Sequence, residues 1–237
     1  MASVHSNMAL IKRQPRTSAS DRSARRARRK FLSVFPKGFY DPDYLELERD
    51  YKWAAHTEWN ENLSKSRFAA LIKNGSFTEI AQQAVRIESK TNLLFSFEKM
   101  ALRDAVRDPE GAKLFSQSLF KLLYGRGGLN SRFDQWITAI GHLPRRQTRV
   151  LTWPLATVFG FIARPDEHFF FKPTVTREAA RRYGVELPYA SRPSWPIYRS
   201  LLDFVDQVRA DISNLRPRDM IDLQSFLWVQ GSEEYPD

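Results

Sequence analysis

A mainly α-helical protein is the fold class this sequence predicts: a single helical domain with a small two- or three-strand β element near residues 167–189. Three observations lead there. Apolar residues recur at helical spacing over most of residues 41–231. The runs open on Ser, Thr, Asp or Pro and close on Gly, where helices start and stop. The apolar stretch that breaks this period, His168 to Phe171 with Val185 to Tyr189 beyond it, is short and rich in residues that suit extended backbone. No internal repeat or long linker divides residues 31–231, so one unit is expected, followed by an acidic C-terminal tail over residues 232–237.

Residues 1–30 are rich in Ser, Arg and Ala without a sustained apolar period, which predicts a disordered basic tail. The formal charge of +10 is concentrated there: Lys12, Arg13, Arg16, Arg22, Arg25, Arg26, Arg28, Arg29 and Lys30 face one acid, Asp21. Residues 31–237 are close to neutral, so any inference from charge to partner concerns this segment. It lacks the apolar core of a secretory signal. Such a tail fits three roles: an inert or over-extended start, given Met8, an Arg- and Ser-rich targeting peptide, or an arm that contacts nucleic acid.

The run from Phe31 to Tyr40 mixes aromatics with Pro36 and Gly38 and predicts an irregular segment pinned to the core. Asp41 or Asp43 caps a helix to about Trp59, with Tyr44, Leu47, Tyr51 and Ala55 on one face and an exposed Glu48–Lys52 pair. A short helix over Phe68 to Ile72 stops at Gly75. Ser76 and Glu79 form a capping-box pattern at the head of a long helix to about Val106, whose buried stripe is Ile80, Ala84, Ile87, Leu94, Phe97 and Ala101. Asp108 and Pro109 start the next helix, which runs to Tyr124, and Ser131 and Asp134 open one that closes at Gly141.

From Thr152 the chain is at its most apolar. Trp153, Leu155, Ala156, Val158, Phe159, Phe161 and Ile162 leave no polar face, the pattern of a helix buried on all sides and capped by Thr152. The run is about half the length a membrane span needs, so it reads as core. Thr176 heads a short helix ending at Tyr183 and Gly184, Ser194 an amphipathic one carrying Tyr198, Leu201, Val205 and Val208, and Pro217 the last, which stops at Gly231.

Motifs of chemistry are few. With no Cys, disulfides, thiolate metal sites and cysteine nucleophiles are excluded, and a reducing compartment such as the cytoplasm fits. The four His show no ligand spacing, Gly125 to Gly128 lacks the Lys-Ser/Thr of a phosphate loop, and Ser225 has no nucleophile elbow. No metal and no cofactor is expected. Glu88-Ser89-Lys90 has the E-x-K spacing of metal-dependent nucleases, but on a helix residues i and i+2 diverge. A polar cluster of Glu88, Asn92, Glu98, Asp222 and Gln224 remains a candidate site, and Arg103 a further member of a buried network with Glu88 and Asn92. The candidate nucleic-acid contacts are Arg25, Arg26, Arg28, Arg29 and Lys30 in the tail, Arg145, Arg146 and Arg149 in a basic loop, and Lys172 beside the aromatic run.

The succession FGFIARPDEHFFFKPTVTREAARRYG, SWPIYRSLLDFVDQVRADI and RPRDMIDLQSFLWV resembles a helical module that sits beside the motor domain of bacterial methylation-dependent restriction NTPases. The resemblance covers about residues 159–229, with Pro165, Lys172, Pro173, Tyr198, Asp222, Gln224, Ser225 and Trp228 as its most recognisable residues. The body from Phe31 onward also resembles a stand-alone bacterial family of unassigned function. It implies a DNA-related or defence-associated role, brings no catalytic residue, and without a phosphate loop brings no nucleotide motor. The expected function is therefore a non-enzymatic, cytoplasmic protein that binds nucleic acid or docks on a nucleic-acid-processing partner. The alternatives are an enzyme whose site lies around Glu88, Asn92 and Glu98, and a structural interaction domain.

Overall fold

A computed structural model describes residues 18–144 and 149–236. The helices in chain order are α1 (Ser18–Val34), α2 (Pro42–Tyr44), α3 (Asp50–Leu63), α4 (Lys65–Lys73), α5 (Phe77–Ser89), α6 (Ser96–Arg107), α7 (Pro109–Tyr124), α8 (Leu129–Gly141), α9 (Trp153–Ala163), α10 (Pro173–Arg182), α11 (Trp195–Asp211) and α12 (Met220–Gly231). A π-helical turn, Leu45–Arg49, joins α2 to α3.

Every residue of α9 is buried, and α3, α5, α7 and α8 pack around it. Thr152 accepts a hydrogen bond from the Leu155 N–H, as expected of its cap. Burying Leu155, Val158, Phe159 and Ile162 contributes about 1.5–3 kcal/mol each, so this helix anchors the core. Elsewhere α10 packs against α12, and α1 packs against α12 as well.

Four expectations need correction. The first is the tail: its described part is helix α1, because Ala24, Ala27 and Phe31 form a buried stripe at i, i+3 and i+7. The Phe31 ring meets Phe39 at 4.9 Å and Phe226 of α12 at 5.1 Å. Two alanines leave room for close helix approach and carry too little hydrophobicity to mark the stripe against so many arginines.

The second concerns Leu47 and the Glu48–Lys52 pair. The π-helical turn inserts a residue and rotates the face, leaving Leu47 56% exposed while Glu48 and Lys52 are buried at 5% and 2%. Third, the long helix from Ser76 is two helices, α5 and α6, separated by residues 90–95, and the Ser76 side chain makes no cap bond. The break re-phases the stripe: Ile80, Ala84 and Ile87 are buried, whereas Phe97 is 49% exposed.

Fourth, among the described residues no strand forms near residues 167–189. The aromatic run has no regular secondary structure, and side chains take the place of a sheet ladder. Tyr198 Oη accepts from the Phe169 N–H at 2.9 Å and donates to its carbonyl at 3.0 Å, and Thr157 accepts from the Phe171 N–H at 3.0 Å. Phe169, Phe170 and Phe171 are thereby sealed in the core.

His168 packs against α9 at Gly160, where an added Cβ would meet the imidazole ring at 2.8 Å. Gly160→Ala is expected to cost about 1–3 kcal/mol through overpacking. Urea unfolding reads it as a lowered midpoint, and an unchanged midpoint would mean that the imidazole moves aside freely.

Candidate nucleic-acid interface

With Ala24, Ala27 and Phe31 turned inward, the charges of α1 turn outward. Arg22, Arg25, Arg26 and Arg29 are exposed and Arg28 and Lys30 half-buried, six cations within nine residues. The helix is fastened at several points. Gln230 donates to the Ala27 carbonyl at 3.2 Å, Arg28 to Asn214 Oδ1 at 3.0 Å, and Arg26 to the Arg182 carbonyl at 2.7 Å. The last of these sets a cation on the negative end of α10.

Between α1 and α10 lies a groove of about 700 Å³, lined by Arg26, Arg29, Lys30, Arg181, Arg182 and Gln230. It shares Arg181, Arg182 and Pro236 with a groove of about 1000 Å³ along α10. The second groove carries Arg177 but also Glu178, Glu186 and Glu233. Glu178 is clasped by Arg181 at 2.7 Å and Arg182 at 2.9 Å. These hydrogen bonds hold its carboxyl down to about 2.

No protein-family model, curated protein or solved structure matches the chain.

Of the other basic candidates, Arg149 is exposed, and Arg145 and Arg146 lie outside the described residues. Lys172, at the head of α10, is half-buried. Its ammonium donates to the Leu93 carbonyl at 3.1 Å and sits 3.8 Å from the Phe95 ring centroid and 5.7 Å from that of Trp228. Burial lowers its pKa, opposed by Glu98 and Glu234.

The polar candidates separate into distinct places. Glu88 is buried at the end of α5, where Thr91 donates to its carbonyl and Lys99 lies 3.8 Å from its carboxylate. Burial raises its pKa, with Lys99 the largest opposing influence and Arg103 a smaller one. It thus ties the α5–α6 connection together. Glu98 is buried and accepts from the Phe95 N–H and Thr152. Asn92 is exposed and its side chain meets Tyr51. Lys90 points away from Glu88 to Glu58, at 2.6 Å, so the E-x-K pair does not converge. Among the described residues no group of three His, Asp or Glu could hold a metal ion.

Asp222 belongs to a buried network that the sequence left unassembled. Its carboxylate accepts from Tyr44 at 2.7 Å, Arg49 at 2.7 Å, and both the Arg218 side chain and N–H at 2.8 Å. Arg49 also bridges to Asp219 at 2.7 Å. Next to it Lys52 donates to Glu48 at 3.0 Å and to Ser225 at 2.9 Å, while Tyr235 donates to Glu48 at 2.7 Å. Gln224 is buried nearby along α12, its side-chain oxygen without a hydrogen-bond partner among the described residues.

A lysine against a serine hydroxyl is the arrangement of a Ser-Lys nucleophile, and burial does lower the Lys52 pKa. Ser225 has 0% exposure, however, and Glu48 stabilises the charged ammonium. The network clamps α12 to the α2–α3 segment. It presents no reactive atom to a substrate.

Proposed function

We propose that this is a non-enzymatic nucleic-acid-binding protein in which α1 makes the phosphate contacts. The observation that carries this reading is the placement of six cations on a helix docked by its alanine stripe, beside Arg181 and Arg182 of α10. A docked helix holds its guanidinium groups at fixed spacing, so less entropy is lost on binding than from a flexible arm. Contacts of this kind fix position on a backbone and do not read sequence.

The C-terminal resemblance to the module beside restriction NTPases supports a role with a DNA-processing partner in bacterial defence. The absence of Cys supports a cytoplasmic setting. Among the described residues no helix is long and apolar enough to cross a membrane.

The test is fluorescence anisotropy of the full chain with labelled duplex DNA across a salt series. Replacing Arg22, Arg25 and Arg29 by Gln keeps helix propensity and removes three charges. The slope of log K against log salt is expected to lessen by about 0.9 for each phosphate that is no longer neutralised, or about 2–3 in all. An unchanged slope and affinity would overturn the proposal.

A further inference from the structure

We infer that the nucleic acid is taken as an unpaired strand, its bases stacking on the Phe95–Phe97 pair and its phosphates following α10 to α1. This deepens the phosphate-binding reading above and rests on it. It is carried by an aromatic pair that folding leaves outside the core.

The rings of Phe95 and Phe97 lie stacked, 5.6 Å apart and 20° from parallel. They are 52% and 49% exposed, and Met100 beside them is 56% exposed. Most of the large aromatic side chains in this chain are buried, so such a pair on the surface is unusual. It is also held rigidly. Phe95 immediately precedes α6, its N–H donates to Glu98 at 3.0 Å, and Lys172 lies against its ring. Rigid aromatic surface beside a cation is what stacks unpaired bases.

A cationic path leads away from the platform. Lys172 opens α10, whose ten residues span about 15 Å. Arg177, Arg181 and Arg182 line the groove along that helix, and the Arg182 carbonyl is held by Arg26 of α1. Glu178, Glu186 and Glu233 share the groove, and Glu178, tied to Arg181 and Arg182, offsets part of their charge. Once Arg26, Arg29 and Lys30 are added, the two joined grooves carry six cations against those three acids. In a duplex the bases are stacked on one another and give the rings nothing to cover. An unpaired strand offers both bases and phosphates.

The experiment measures binding of the full chain to labelled oligo-dT and oligo-rU of about 12 nucleotides, an abasic strand of the same length, and a duplex. Phe97→Ala leaves the Lys172–Phe95 contact in place and is the first variant, with Phe95→Ala/Phe97→Ala as the second. Native protein is expected to prefer oligo-dT or oligo-rU over the abasic strand and duplex, the tighter of the two identifying DNA or RNA. Both variants are expected to bind that strand about tenfold or more weakly, with abasic and duplex binding and the salt slope unchanged. Oligonucleotide binding that survives the double variant, or native protein without preference for bases, would overturn the inference while leaving the phosphate reading intact. Loss of all binding in the Arg22, Arg25, Arg29 variant, with the phenylalanine variants indistinguishable from native, would leave α1 as the site and remove the platform. If the arginine variant binds every probe as native protein does, both fall.

Discussion

Asp222→Ala is expected to destabilise the protein by about 3–5 kcal/mol. The carboxylate is fully buried and receives Tyr44, Arg49, the Arg218 side chain and the Arg218 N–H. Its removal leaves Arg49 buried with Asp219 and the Trp53 ring as its remaining partners, and takes from Arg218 the carboxylate that orients it beside the Phe39 carbonyl. Tyr44→Phe removes one neutral donor and leaves the arginine pairs, so about 1 kcal/mol is expected. Urea denaturation of the two variants checks the ordering. If Asp222→Ala costs no more than Tyr44→Phe, the network does not clamp α12 to the α2–α3 segment.

Stability is expected to fall steeply in acid through His168. Burial pushes its pKa down to about 3, and Arg132 and Arg164 add to the shift. The unfolded imidazole titrates near 6.5. Between those values the unfolded chain binds a proton that the folded chain refuses, so stability rises with pH across the window and is lost as pH falls. The slope is about 1.4 kcal/mol per pH unit, with no contribution from this group above the unfolded value. His168→Phe keeps a planar ring against Gly160 and removes the titration. The difference between native and variant stability, measured by urea unfolding from pH 7 to pH 4, isolates the effect from the carboxylates. A difference that does not change with pH would mean that the folded state protonates His168 without cost.

The arginine helix also limits how its role can be probed. A chain cut at Phe31 would lose Ala24 and Ala27 from the face against α12, together with the Gln230 bond to Ala27. Weaker binding by such a fragment would mix unpacking with missing charge. Point substitution of exposed arginines separates the two.

Much of the fold was legible because its signals are local. Thr152 and Pro154 at the head of a run with no polar face predict α9, and Asp108 with Pro109 predicts the start of α7. Lys172 stood out in the sequence, but its aromatic neighbours are other than the ones beside it in the chain. Phe169, Phe170 and Phe171 are core, whereas Phe95 and Phe97 are the exposed rings. The usable signal was Glu88 to Asn92, a polar interruption that splits the helix and re-phases everything after it.

By itself the sequence determined that the chain is helical, where most helices begin and end, which helix is buried on every side, and where its excess charge lies. Each of these depends on residues a few positions apart. Only the tertiary structure decided that residues 18–34 are helix, that Glu48 and Lys52 are buried, and that Asp222 gathers Tyr44 and Arg49. Those outcomes depend on partners far along the chain: Lys52 meets Ser225 across 173 positions, and Gln230 meets Ala27 across 203. A charged or alanine-rich helix face carries the same pattern whether it meets water or another helix, and its environment is fixed by which partner arrives.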